Sequence, residues 1–364
     1  MKKIAILTNI PSPYRVDFFA YLQEQYKNYE WYIIFSSKNE DRLWHADIDK
    51  IKNYSFLKTK VFVFDKKIDK HYVHINYDVI PRLNKISPDV VISMEYNLMA
   101  LQSLVWCKIC GKKYINLTDG TIHSERSIGA FQKVSRRIIC NKSDAFIASS
   151  TKAKEKLLRW GANPKKIFIG YLSVDLNKYA GLNFWNRKKG RILYVGSYIK
   201  RKGIDLLFDS LEYVKKEFTI HLVGNVTETE KEYYTQYAKK KNIEKNIRWI
   251  GFKEGDELRQ EYLEANVFVL PTREDCFGLV LLEALAANNI IISSKYADGA
   301  YDVIEGDKFS KIIDPYDARS FSKAIESSLY EEKRDDIFRK NKMTDFSFFS
   351  ISREYIKAIE FALG

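Results

Sequence analysis

No run of about eighteen uncharged apolar residues occurs in these 364 residues, so nothing reads as a membrane-spanning helix. After Met1 two lysines lead straight into Ile4-Ala-Ile-Leu with no small-residue cleavage pattern, and a cytoplasmic location is expected. Cysteine is sparse: Cys107, Cys110, Cys140 and Cys276, of which only C-K-I-C forms a close pair. A zinc site needs a second ligand pair and a redox dithiol needs a small βαβ setting, so these cysteines read as ordinary helix-end positions. Histidine is nearly as scarce. His71 and His74 stand in H-Y-V-H with no carboxylate at ligand spacing, which predicts a helix surface or loop rather than a metal site. No metal is expected. Also missing are a Walker P-loop and the G-x-G-x-x-G fingerprint, and the second absence counts against a nicotinamide enzyme.

What is abundant is positive charge, unevenly placed. The net charge is +13, and residues 1–175 hold 29 Lys and Arg against 17 Asp and Glu, while residues 176–364 hold 31 against 30. The first half therefore points to an anionic partner, nucleic acid or an anionic membrane surface, with a merely well-solvated basic surface as the plainer alternative. Sequence-specific nucleic-acid modules are not visible, which favours the membrane, with a peripheral position at its inner face. The segment Ile128–Ile139 sets Phe131, Val134, Ile138 and Ile139 at helical spacing beside Lys133, Arg136 and Arg137, the pattern of a helix packed on its own domain with its cations outward, which is the commoner case, or of a helix that docks on a membrane surface.

Short β-branched and aromatic runs alternate with longer helical stretches throughout. In the first half they are Ile4–Ile10, Trp31–Phe35, Val61–Phe64, Val90–Ser93, Tyr114–Leu117, Ala145–Ser149 and Ile167–Tyr171. In the second they are Ile192–Gly196, Phe218–Gly224, Ile247–Gly251, Val267–Leu270, Ile290–Ser293 and Ile312–Ile313. Near-continuous apolar strands between helices predict parallel sheets covered on both faces, an α/β fold twice over. The expected domains are 1–172 and 191–345, with a linker at 173–190 and a C-terminal helix in 346–364 returning to the first domain. In such folds ligands sit beyond the carboxyl ends of the strands.

Two strand ends carry the chemistry. The run Ile192-Leu-Tyr-Val-Gly196 leads into Ser197-Tyr-Ile-Lys-Arg-Lys-Gly203 and then an apolar helix. Lys200, Arg201 and Lys202 stand before a helix N-terminus, where cations oppose the helix dipole unless an anion lies between them. A diphosphate suits that position. The second segment, Leu270-Pro-Thr-Arg-Glu-Asp-Cys-Phe-Gly-Leu-Val-Leu-Leu-Glu-Ala-Leu-Ala, becomes an apolar helix bearing one acid, Glu283. Burying that carboxylate demands donors, which ribose hydroxyls would supply, although a solvated or salt-bridged Glu283 is the plainer alternative. Asp275 precedes the helix near the N–H groups of Phe277 to Val280, either as a cap or as a grip on hydroxyls and phosphates.

These two segments, in this order and separation and with N-I-R-W-I-G-F between them, resemble glycosyltransferase family 4. The likeness covers most of residues 191–293; the first half matches in outline, through N-I-P-S-P-Y-R-V-D-F-F and Ser173–Asp175. The resemblance implies a GT-B fold, two Rossmann-like domains with parallel sheets facing across a cleft, and transfer with retention and without metal. It implies that Arg201 and Lys202 neutralise a diphosphate, Glu283 holds the ribose and Asp275 faces the sugar hydroxyls. The donor would also touch Gly196, Ser197, Phe277, Gly278, Leu279 and Val280, with its base near Phe252 and Lys253; a UDP-sugar is favoured over a GDP-sugar. The acceptor would be a saccharide or lipid-linked sugar of envelope or capsule assembly, and Asp119 in L-T-D-G-T, with His123, is the acceptor-side candidate. Asp119 before Gly120 equally suits a structural cap. Two departures stand out: Asp275 is one methylene shorter than the family glutamate, and Pro11-Ser-Pro13 replaces a double-glycine turn. A degenerate nucleotide-sugar binder, a GT-B epimerase and a phosphorylase are the competing readings.

Overall fold

The computed structural model describes residues 1–38, 43–65, 70–179 and 187–364. Two compact units result, one of residues up to Asp175 together with Phe346–Gly364, the other Leu176–Asp345. Of the expected linker, residues 180–186 lie outside the described residues.

The first unit is built on strands β1 Lys2–Thr8, β2 Tyr29–Phe35 and β3 Tyr54–Phe56, then β4 Thr59–Asp65 and β5 Lys70–Asn76, then β6 Val90–Met94, β7 Lys113–Thr118, β8 Ala145–Ala148 and β9 Ile167–Ile169. Seven of these form one parallel sheet in the order β3-β2-β1-β6-β7-β8-β9. Alternate residues serve opposite cores, which is why the strands read as unbroken apolar runs. Ile4 and Ile6 pack with the helices Pro13–Gln25 and Phe348–Leu363. Ala5 and Leu7 pack with Val79–Ile86, Leu98–Ile109, Ala130–Lys142 and Thr151–Arg159.

One expectation fails here. Val61–Phe64 is a strand, as expected, but it lies outside the parallel sheet: β4 pairs antiparallel with β5 in a separate two-stranded sheet, leaving Val63 and Phe64 exposed. The sheet edge is taken by the short β3, whose Y-S-F gives no continuous apolar signal. The H-Y-V-H segment lies on β5, neither helix nor loop; His71's side chain is outside the described residues, and His74 Nδ1 lies 2.7 Å from Ser36 Oγ. Cys107 is buried in the last turn of Leu98–Ile109 and Cys110 follows it, exposed.

The second unit holds β10 Lys188–Val195, β11 Thr219–Val223, β12 Ile247–Gly251, β13 Ala265–Leu270, β14 Ile290–Ser294 and β15 Lys311–Ile313, all parallel, in the order β12-β11-β10-β13-β14-β15. Strand order reverses between β10 and β13, and in the first unit between β1 and β6. At such switch points the loops leaving adjacent strands part and open a crevice for ligands.

The loop after β10 runs Gly196 to Gly203 and reaches the helix Ile204–Leu211 through Gly203, whose φ is +74°. A Cβ at Gly203 would lie 2.2 Å from the carbonyl oxygen of Pro271, on the loop after β13. Both the backbone angle and the close approach of the two loops demand glycine. Replacing Gly203 by Ala is expected to cost about 2–3 kcal/mol through forced left-handed strain and displacement of Pro271. Thermal unfolding of the variant checks this, and an unchanged melting temperature would refute it.

Candidate functional site

In the second unit the two motif loops meet beyond the carboxyl ends of β10 and β13. Lys200–Lys202 form a single tight helical turn, and Lys202 Nζ donates to Asp275 Oδ2 at 2.6 Å. Arg201 Nη1 donates to the Glu274 carbonyl at 3.0 Å, while the Arg201 carbonyl accepts from Arg273 N at 2.8 Å and Thr272 Oγ1 at 3.0 Å. Arg273 grips Asp205 through two bonds of 2.8 and 2.7 Å. A cationic turn is thus clasped to an acidic one.

Asp275 sits on a bridge to Ala297, its N–H bonded to the Tyr296 carbonyl, and its Oδ1 accepts from the Phe277 N–H at 3.3 Å. It does not cap the helix Val280–Ala286, whose N-cap is Leu279. Burial would raise its pKa, but Lys202, Arg201 and these hydrogen bonds outweigh it and hold the carboxyl below the usual range. Asp275 is an anion locked in place.

Glu283 stands eight residues on, half-buried in an otherwise buried helix face. It is not freely solvated, and among the described residues it forms no ion pair: Oε2 accepts from the buried Tyr262 hydroxyl at 2.7 Å. Burial pushes its pKa up, against the weaker pull of Tyr262 and Lys178. One carboxylate with one neutral donor can accept several more hydrogen bonds.

The remaining donor-side residues gather along the same edge. Gly251 ends β12, while Gly196 and Gly224 directly follow β10 and β11; Gly196 N donates to Val223 O and Gly224 N to Gly251 O, both at 2.9 Å. A Cβ on Gly224 would meet the Gly196 carbonyl oxygen at 1.9 Å, so the edge is bare backbone by necessity. Ser197 continues from Gly196, its carbonyl accepting from the Tyr194 hydroxyl at 2.9 Å, and Phe252 is exposed just past β12. Phe277 is buried, and Gly278 takes φ +82° at the turn into Leu279 and Val280.

The first unit has its own polar centre at the β1/β6 switch point. Asp119, just past β7, pairs with Arg15 (Nη2 to Oδ2, 2.6 Å), and its N–H donates to Glu95 Oε1 at 2.8 Å. Glu95, at φ +63°, also accepts from Thr118 Oγ1 at 3.2 Å, and burial raises its pKa. Lys156, 1% exposed, donates to Thr118 Oγ1 at 2.6 Å and Glu125 Oε1 at 3.1 Å, and Arg136 completes the set on Glu125 Oε2 at 2.6 Å. The cationic ends of Lys156 and Arg136 each lie 4.6 Å from the centre of the Tyr96 ring. Among the described residues the buried Asp119 Oδ1 accepts no hydrogen bond. His123 lies in the following turn.

Sequence reasoning found Arg201, Lys202, Asp275, Glu283 and Asp119 but missed Tyr262, Arg273, Arg15, Glu95, Glu125 and Lys156. The partners given above lie 11 to 104 residues away, so no local spacing announces them. Glycines at successive strand ends were the one readable clue to Gly224. Among the described residues no three His, Cys, Asp or Glu gather as a metal site would require.

With this geometry in view the kinship is informative. Residues 180–344 match the family model "Glycosyl transferases group 1". The chain is 25% identical over 240 residues to an uncharacterized 41.2 kDa protein of the Klebsiella pneumoniae cps region, covering 60% of this chain and 64% of the relative. It is 23% identical over 282 residues to the lipopolysaccharide 1,6-galactosyltransferase of Salmonella typhimurium, covering 76% and 74%. With the capsular polysaccharide biosynthesis glycosyltransferase CapH of Staphylococcus aureus the identity is 29%, over 47% of this chain and 48% of that one. The chain thus spans just under two thirds of the Klebsiella relative and about half of CapH. Among solved structures, the lipopolysaccharide outer core galactosyltransferase WaaB superposes with TM-score 0.73 at 18% identity, over 98% of this chain and 99% of that one. Anabaena HepE in complex with UDP superposes with TM-score 0.75 at 14% identity, over 99% and 100%. The fold is GT-B, two Rossmann-like α/β domains, and residues 180–344 are similar to group 1 glycosyltransferases.

Glu283→Gln separates binding from stability. With its pKa raised by burial, Glu283 binds its proton more tightly folded than unfolded, so stability from this group is full below the ordinary carboxylate value and is lost as pH rises through the folded one. At neutral pH the glutamine variant is expected to melt higher than the parent, the gap closing in acid. Its affinity for a nucleotide ligand should fall by about 1.5–3 kcal/mol. Calorimetry showing unchanged affinity would leave Glu283 a structural partner of Tyr262 alone.

Proposed function

We propose that the protein is a retaining, metal-independent glycosyltransferase that moves a sugar from a nucleotide diphosphate donor, a UDP-sugar in preference to a GDP-sugar, to a saccharide or lipid-linked acceptor in bacterial surface polysaccharide assembly. The observation that carries this reading is the clasp of Lys202 and Arg201 on the Glu274–Asp275 turn at the strand-order reversal of a group 1 domain. The functions of the Salmonella and Staphylococcus relatives, and the UDP bound in HepE, support it.

Cleaving a sugar–phosphate bond leaves an oxocarbenium-like sugar and loads negative charge on the departing diphosphate. Fixed cations stabilise that charge more in the transition state than in the ground state. Arg201 and Lys202 supply them, while Asp275, kept ionised, takes hydroxyls of the transferred sugar. Glu283, rich in unused acceptor capacity, takes the ribose diol. On the first unit the unpartnered Asp119 Oδ1 accepts the hydroxyl of the acceptor, with Arg15 holding the carboxylate's other oxygen.

The test is turnover of UDP-sugars by the purified chain with saccharide and lipid-linked acceptors, with and without EDTA. Activity should survive chelation; collapse in EDTA with recovery in Mn²⁺ would overturn the metal-independent reading. Arg201→Ala should lower kcat/KM by about two to three orders of magnitude. Nucleotide binding with no turnover of any sugar would favour a degenerate binder.

A further inference from the structure

The charge excess of the first half is gathered on one face of its sheet. The four helices covering the side of Ala5 and Leu7 carry eleven Lys and Arg and one acid, Glu155; the two on the opposite side carry three cations and four acids. Two of the eleven, Arg136 and Lys156, are spent inside the Glu125 cluster. The other nine reach solvent.

The same outer surface displays apolar side chains. Helix Ala130–Lys142 exposes Phe131, Val134 and Ile138, spaced i, i+3, i+7, with Phe131 67% exposed. The neighbouring helix Leu98–Ile109 exposes Val105 and Ile109, the latter 79%. The sequence grouped Ile139 with this stripe, but it turns inward with Cys140 and the buried side of the helix. Ala130–Lys142 therefore has two apolar faces, one packed on the sheet and one unpartnered, the latter bordered by the exposed Lys133 and Arg137. Among the described residues no helix is long and apolar enough to cross a membrane.

We propose that this helical face docks on an anionic lipid bilayer, with Phe131, Val134 and Ile138 entering the headgroup boundary and the surrounding Lys and Arg lying against lipid phosphates. Cations ringing a narrow apolar stripe complement a charged surface with an oily interior. A polyanion such as nucleic acid would engage the charges and leave the outward Phe131 and Ile109 without a role. The inference stands apart from sugar transfer, since docking needs no turnover.

Sedimentation of the whole chain with vesicles of phosphatidylcholine, alone or mixed with phosphatidylglycerol, at low and high salt, tests it. Binding should be at least about tenfold tighter to the anionic vesicles and weaken with salt, since each basic residue near such a surface contributes about fivefold. Lys133→Gln with Arg137→Gln should cost about 25-fold by the same factor. Replacing Phe131, Val134 and Ile138 together by Ser should abolish sedimentation while leaving the melting temperature unchanged, because all three are exposed. Equal binding to both vesicles, none to either, or full binding by the triple Ser variant would overturn the proposal. So would duplex RNA displacing the protein from vesicles with an affinity the triple variant retains.

Discussion

The second unit's chemistry depends on one ion pair, Lys202 with Asp275. Its members lie 73 residues apart, on loops leaving neighbouring strands of a sheet whose order reverses between them. Parallel strands carry such loops to the same edge, but nothing in a sheet dictates that the loops stay together. The pair does so, with Arg201 on the Glu274 carbonyl and Arg273 on Asp205 as outer fastenings. Three consecutive cations before a helix repel one another and oppose its dipole; the acidic turn opposite lets them be tolerated. In the reaction proposed above, the same arrangement holds them where a departing diphosphate needs charge.

How much of this was legible follows from how far each interaction reaches. All thirteen expected runs are strands and twelve of them lie in the two parallel sheets, because a strand buried on both faces writes its burial into consecutive residues. Val61–Phe64 misled because the same signature arises on a ribbon lying apart from the sheet, and β3 escaped because three residues of Y-S-F carry no period. At the site, Lys202 and Asp275 were readable as separate motifs, each with a role toward a ligand. Their bond to one another was not, since it depends on strand order. Tyr262 beneath Glu283 escaped for the same reason: a tyrosine in an amphipathic helix says nothing of the acid it meets 21 residues away.

The first unit shows the limit more sharply. Asp119 stood out beside a glycine at a strand end, yet its setting is assembled from Arg15, Glu95, Glu125, Lys156 and Arg136, drawn from five places in the chain. Burying so many charges is costly unless nearly every oxygen and nitrogen is answered. Here most are, with Tyr96 taking two cations on its ring, and among the described residues the exceptions include Asp119 Oδ1 and the Tyr96 hydroxyl. The gross charge asymmetry was plain from the sequence; only the two-sided packing reveals that it belongs to one helical layer, where part of it is spent internally.

Two acids of the same motif, eight residues apart, end in opposite electrostatic states, and the difference separates their roles. Both are disfavoured by burial, but Asp275 lies among Lys202, Arg201 and a backbone N–H, so its ionised form is the stable one and its orientation is fixed. Glu283 has a neutral tyrosine and a distant lysine, so its charge is poorly compensated. A carboxylate already answered can position a substrate without being changed by it. One left short gains most when a ligand brings hydroxyls, because the hydrogen bonds formed also relieve the cost of its burial. The motif therefore sets an anion that is stable as it stands eight residues before one that is poorly compensated, and in the proposed reaction it is the second whose burial the donor's hydroxyls relieve.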